Sequence, residues 1–227
     1  MAVSVKTKGF MVLLIALNLF AAGCSVERSL KLDARLPLPP AVKQVPLHIG
    51  VYYSPEFIDY TKKIEFIGCG PSGRRDSYGI FFIFPVGAAS RDLFDQVAAG
   101  MFAAVTRVAD PSQPFRDASS LDGLLELRIE SFDWGTMCTK DYFSTLKFTA
   151  NVRYVIDLYN SGGSSVASMR VEGLGIEKLK PCLVDCKESL AVERAMQDAM
   201  AKFMIEFNEQ PEVKEWLSTR KAAGGNP

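Results

Sequence analysis

The residues able to do chemistry are few: one histidine, His48, and five cysteines, Cys24, Cys69, Cys138, Cys182 and Cys186. Ser-His-Asp and Cys-His catalysis would both have to run through His48. It stands between Leu47 and Ile49 in an alternating apolar segment, with no serine or cysteine beside it in a nucleophile motif. A strand histidine is the stronger reading. No GxSxG, HExxH or phosphate-loop pattern occurs. Gly68-Cys69-Gly70-Pro71-Ser72-Gly73 matches GxGxxG, but a dinucleotide fingerprint must open a helix whose N-terminus holds the pyrophosphate. Here Pro71 and Arg74-Arg75-Asp76-Ser77 lead straight into an apolar strand, so the segment reads as a hairpin loop with Arg74 and Arg75 as solvated charges. Asp92 and Asp95 fall on a helix turn, and Glu126 and Glu130 on the wet face of a strand, where solvation is the ordinary role of a carboxylate. The chain is expected to be no enzyme, to hold no cofactor and to bind no metal.

Cys24 has a different setting. Lys6 and Lys8 precede an apolar run, residues 10–20, and Ala21-Ala22-Gly23 then approach the cysteine. A basic n-region, a short apolar h-region and small residues before a cleavage point are the parts of an export signal. The run is interrupted by Asn18 and falls short of the roughly 20 residues a spanning helix needs. The pattern resembles a bacterial lipobox, with Ala21 where leucine is commoner. That resemblance implies removal of residues 1–23 as a lipoprotein signal peptide, acylation of Cys24 with palmitate-type chains, and attachment to a membrane. Ser25 follows where an aspartate would retain the protein at the inner membrane, which implies the outer membrane, periplasmic face.

Export also bears on the other four cysteines, because oxidising compartments favour disulfides and an even count allows three pairings of two bonds. The preferred pairing is Cys182 with Cys186 and Cys69 with Cys138. A one-turn spacing brings two cysteines within the roughly 4.4–6.8 Å Cα range that a disulfide needs. Cys182-Leu-Val-Asp-Cys186 lacks the two-residue gap of a zinc knuckle and has no histidine near it.

These residues must be held by a body of modest size. Cleavage before Cys24 would leave 204 of 227 residues, one domain with one core. The mature chain would carry 24 basic against 26 acidic residues, which gives no electrostatic footprint for nucleic acid. Apolar residues at 48% and aromatics at 11% supply ample material to bury.

Residues 24–45, with Pro37, Pro39 and Pro40, read as a lipidated, extended tether. The domain is expected over 46–218, followed by a disordered tail, 219–227. Leu47, Ile49, Val51 and Tyr53 alternate as a first strand, a weaker strand follows near residues 63–67, and residues 78–86, YGIFFIFPV, read as a strand in the middle of a sheet. Leu93, Val97, Met101, Val105 and Val108 repeat at helical spacing, predicting a helix from Ala89 or Ser90 to Asp110-Pro111. Three strands come next: Leu125, Leu127 and Ile129; then the even positions from Leu146 to Leu158; then residues 166–174 after the turn-forming Asn160-Ser161-Gly162-Gly163. Met196, Met200 and Met204, with interleaved phenylalanines, mark a core-facing helix beginning near Ser189, and residues 211–217 a short helical turn. The expected fold is α+β: a twisted, mostly antiparallel sheet of about five strands with two amphipathic helices on one face.

Phe132, Trp134, Tyr142 and Phe143 cluster around the Cys138 loop. Exposed, they would form a patch for a partner or a lipid chain; buried, they would cap the sheet edge. The layout of lipobox, proline stalk and α+β domain resembles the small outer-membrane lipoproteins that act as accessory subunits, YajG-like proteins and the auxiliary lipoproteins of envelope transport systems. The resemblance is specific over residues 1–24. It implies a non-catalytic accessory or assembly lipoprotein docking an envelope protein through a sheet edge or the aromatic loop; the alternative is a periplasmic carrier of lipid or a small molecule.

Overall fold

The computed structural model describes residues 25–36, 44–69, 74–110, 121–138, 146–178 and 188–223. These residues form eight strands in two sheets. The larger has five strands in the order β5-β2-β6-β7-β8, and the smaller three in the order β1-β4-β3. In chain order they are β1 (Val26–Ser29), β2 (Val45–Tyr52), α1 (Pro55–Ile58), β3 (Lys62–Cys69), β4 (Arg75–Phe84), α2 (Val86–Met101), β5 (Phe102–Val108), β6 (Gly123–Cys138), β7 (Leu146–Asn160), β8 (Ser165–Lys178), α3 (Ser189–Glu206) and α4 (Pro211–Ala223).

The class is α+β, but the expected sheet needs correction. There are two mixed sheets rather than one mostly antiparallel sheet of about five strands. β2 runs parallel to both β5 and β6, and β1 parallel to β4, while β3–β4, β6–β7 and β7–β8 are antiparallel. Side-chain alternation reports which face a strand buries and says nothing about the direction of its neighbour.

The register places one side of the large sheet inward. Phe132 faces Val152 and Trp134 faces Ala150 on β7; Val152 faces Gly173 and Ala150 faces Gly175 on β8. Both glycines receive α3 at close range: a Cβ on Gly173 would stand 1.9 Å from the Ala195 carbonyl oxygen, and one on Gly175 1.8 Å from that of Ala191. Alanines at 191, 195 and 199 complete this contact, all fully buried. Further along the same face the small sheet packs through aromatic rings: Phe82 and Phe84 each lie 5.3 Å from Trp134, and Phe84 lies 5.6 Å from Phe132. Phe94, Phe203 and Phe207 fill the space between α2, α3 and the following 3₁₀ turn. α2 is fastened to the sheet by a buried hydrogen bond between Ser90 Oγ and Tyr154 Oη, 2.7 Å. Burial pushes the Tyr154 hydroxyl up, against a smaller opposing effect of Ser90, so the phenol stays neutral.

Three boundaries differ from the expectation. The predicted helix to Asp110 ends at Met101, and Val105 and Val108 belong to β5. Leu93, Val97 and Met101, the three predicted positions up to Met101, belong to the helix's buried stripe, whereas Val105, Thr106 and Val108 are β-branched and residues 104–108 pair with β2. Second, the segment 25–36, expected to run as a free tether, is part of the domain. Val26 pairs with Ile80, Ala34 is buried, Gln197 Nε2 donates to the Arg35 carbonyl, and Leu30, Leu32 and Leu36 pack on the core. Third, α4 runs to Ala223, past the expected start of a disordered tail at residue 219. Residues 37–43, which hold three of the prolines, lie outside the described residues.

Other expectations hold. The even residues of β7 from Phe148 to Leu158 are buried, YGIFFIFPV supplies the central strand of the smaller sheet, and α3 begins at Ser189.

Candidate functional site

The two outer strands of the large sheet are built differently. β8 lies beside α3, whose Arg194, Asp198 and Lys202 recur every four residues and so share a helix flank. Each reaches the strand's backbone. Arg194 donates to the Ile176 carbonyl at 2.8 Å, Leu174 N–H donates to Asp198 Oδ2 at 3.0 Å, and Lys202 Nζ donates to the Glu172 carbonyl at 2.7 Å. Lys202 also pairs with Asp198 at 2.8 Å, and Arg194 with Glu177. Partial burial resists ionisation of Asp198, yet the Lys202 ammonium and the Leu174 N–H together hold its carboxyl below the usual aspartate value. Three successive outward-facing backbone positions are thereby occupied by charged side chains.

At the other side, β5 follows α2 without a loop and, among the described residues, pairs only with β2. Its side chains are pinned from within. Arg107 pairs with Asp95 of α2, which also accepts from Tyr53 Oη at 2.8 Å; burial, reinforced by the Asp95 charge, pushes that hydroxyl up and keeps it a donor. On the other face, Thr106 Oγ1 lies 2.8 Å from His48 Nε2. Ala103, Ala104, Thr106 and Arg107 are exposed, and among the described residues no strand and no side chain pairs with the outer backbone of β5. An edge of this kind is a template for an added strand.

The outer face of the large sheet carries charge. Glu130 pairs with Arg153 and Arg170, Arg153 with Glu172, and Arg128 with Asp157. A shallow cleft of about 340 Å³ lies over Glu130, Arg153, Arg170 and Glu172. A second, of about 390 Å³, lies between segment 32–35 and α2, with Asp33, Arg35, Asp92 and Gln96 in its wall.

The sequence-derived candidates divide sharply. Cys69 and Cys138 form a disulfide, Cα atoms 5.8 Å apart, tying the end of β3 to the end of β6. In the chain-entropy account, closing a loop with a sequence separation of 69 residues stabilises the fold by about 4 kcal/mol. Phe132 and Trp134 are 2% and 7% exposed, so of the two readings left open the buried one applies to them: they are core residues, and Trp134 Nε1 donates to the Glu188 carbonyl. Tyr142, Phe143, Cys24, Cys182 and Cys186 lie outside the described residues, so the second proposed disulfide does too. Met196, Met200 and Met204 are buried. No helix follows the GxGxxG segment; β4 does, in a hairpin with β3. Arg74 is paired with Asp76 at 2.7 Å. Asp92 pairs with Arg91, and Glu126 accepts from Tyr159 Oη. Among the described residues, no three His, Cys, Asp or Glu side chains converge on a metal-sized point, and no helix is long and apolar enough to cross a membrane.

Sequence reasoning missed the β5 edge because it had placed those residues on a helix; the run Val105-Thr106-Arg107-Val108 was the available signal. It also missed the edge-capping role of Arg194, Asp198 and Lys202, which their four-residue spacing displays.

No protein-family model matches the chain, and no curated protein matches it. Solved structures with some likeness include a Xanthomonas campestris protein of the DUF330 family, at 16% identity and TM-score 0.43 over 88% of this chain and 99% of that one. A neuraminyllactose-binding hemagglutinin homolog from Helicobacter pylori follows at 11% and 0.41, over 83% and 100%. A minor lipoprotein from Acinetobacter baumannii stands at 5% and 0.35, over 71% and 92%. None of these likenesses assigns a role to a residue of this chain.

Proposed function

We propose that this chain is a non-catalytic, lipid-anchored envelope lipoprotein that serves as an accessory or assembly subunit by accepting an extended strand of an envelope protein on the β5 edge. Acylated Cys24 holds it at the outer membrane, on the periplasmic face. The observation that carries the docking half is the contrast between the edges: β8 is stoppered by three charged side chains over residues 172–176, and among the described residues nothing does the same for β5. A sheet that blocks one edge against pairing and leaves the other open has a preferred site for one added strand. The Cys69–Cys138 bond supports an oxidising compartment, where such bonds persist. Two or more acyl chains give firm attachment, each buried methylene contributing roughly 0.8 kcal/mol.

The test isolates the native chain from membranes in mild detergent and follows a co-purifying envelope protein through two variants. Ala104→Lys, on the open edge, is expected to lose the partner at least tenfold, while Leu174→Lys, on the stoppered stretch of β8, retains it. Equal retention by both would contradict the edge assignment. Cys24→Ala should move the chain into the soluble fraction, and its persistence in membranes would contradict the anchor.

A further inference from the structure

The point where the chain would meet its lipid is set by β1. Val26 pairs in parallel with Ile80, so the chain upstream of Val26 heads toward the start of β4, the end of the molecule where the Cys69–Cys138 bond lies. Consecutive Cα atoms are ~3.8 Å apart; two residues therefore separate an anchoring Cys24 from a fixed strand by less than about 8 Å. No spacer intervenes. With the anchor in place, this end of both sheets must stand at the bilayer surface.

The residues there have interfacial chemistry. Val26, Tyr78 and Met137 are large apolar side chains exposed by 50%, 54% and 52%. Tyr78 is presented by a bulge: the β3–β4 register passes from Glu65↔Phe81 to Ile67↔Ser77, leaving extra residues on β4, and Gly79 takes φ 65°, a conformation that suits glycine. Its ring is backed by Phe66 at 5.8 Å. Across the disulfide, Met137, Lys147 and Lys178 stand in one cross-strand row. Lysines directly opposite one another repel, and among the described residues Arg75, Lys147 and Lys178 make no ion pair. The acids nearby are already engaged, Asp76 with Arg74 and Glu177 with Arg194. An amphipathic tyrosine at the same end of the molecule as uncompensated basic side chains is the composition that sits at a headgroup layer.

We infer that this end of the molecule, through Val26, Arg75, Tyr78, Met137, Lys147 and Lys178, docks onto an anionic bilayer surface, fixing the body upright with the Asn160–Ser164 turn farthest from the membrane. The inference rests on acylation of Cys24, as proposed above, and adds an orientation to it. β5 then stands to the side of the body, open to a neighbour in the same membrane.

The test reconstitutes the full acylated protein in nanodiscs of phosphatidylcholine, with or without phosphatidylglycerol. Spin labels are carried at Tyr78, Met137 or Ser164 on a ketone-bearing residue that spares the disulfide. Accessibility to an aqueous nickel chelate is expected to be at least threefold lower at Tyr78 and Met137 than at Ser164, and lower still with the anionic lipid. The combined Arg75→Glu, Lys147→Glu and Lys178→Glu variant should restore aqueous access, each basic side chain contributing roughly fivefold to anionic-surface affinity; Arg170→Glu, midway along the outer face, should leave it unchanged. Equal aqueous access at all three labels in an acylated protein overturns the orientation and leaves the anchor standing. A native mature terminus whose mass shows no acyl group overturns the anchor and, with it, the orientation.

Discussion

The two edges of the five-stranded sheet solve the same physical problem in opposite ways. A peripheral strand exposes backbone donors and acceptors that water satisfies and another strand can capture. On β8 the flank of α3 supplies substitutes: Arg194, Asp198 and Lys202 take up the backbone groups of Ile176, Leu174 and Glu172. On β5, which continues directly from α2, no helix side chain among the described residues takes up the outer backbone, and the charged residue available, Arg107, turns inward to Asp95. The difference teaches that openness at β5 is not a general looseness of the sheet. Tyr53, Asp95 and Arg107 fix the strand's side chains while its outer backbone stays available, which is the preorganised state that an incoming strand binds at least cost.

The contrast can be broken most strongly by lifting α3 off β8. Gly173→Ala combined with Gly175→Ala drives each new methyl into a helix carbonyl, and overpacking of this kind costs about 3 kcal/mol or more. Thermal unfolding should show a lower Tm, and amide exchange at residues 172–176 should accelerate toward that of an unprotected edge. A smaller effect is expected from Asp198→Ala, which strips Leu174 N–H of its acceptor and Lys202 of its partner at about 1–2 kcal/mol; a double-mutant cycle with Lys202→Ala measures the coupling.

Acid should act in the same place without mutation. The folded-state pKa of Asp198 is depressed, so its contribution is complete above the unfolded aspartate value and is lost as pH falls through the lower folded one. An NMR titration should show the Leu174 amide shift moving below about pH 4; a Leu174 amide that stays still through that range would contradict the assignment. The smallest stability effect belongs to Ala104→Lys, a surface change expected to stay within about 0.5 kcal/mol, so that any loss of partner binding by this variant reports the edge itself.

Much of this arrangement is local enough to be read from the chain. The alternation along β7 and the start of α3 at Ser189 follow from spacing alone, and the Cys69–Cys138 pairing from the cysteine count with a guess at connectivity. The candidate site was less visible because an edge is a statement about what is missing next to a strand. Val105 and Val108 fit a helical period as well as a strand, and only the pairing of residues 104–108 with residues 48–52, distant in sequence, decides between them. In the segment 25–36 Leu30, Leu32, Ala34 and Leu36 do alternate, but only the backbone ladder offered by β4 and the packing of these residues on the core decide that it joins the domain. Phe132 and Trp134 looked like a loop cluster because the second sheet that covers them is assembled from residues more than 40 positions upstream.

The most direct test of the account is photo-crosslinking in native membranes, with a diazirine side chain placed at Ala104 or at Leu174 in otherwise unaltered protein. A discrete adduct to an envelope protein from Ala104, with none from Leu174, is the predicted result. Adducts of equal yield from both edges, or from Leu174 alone, would contradict it.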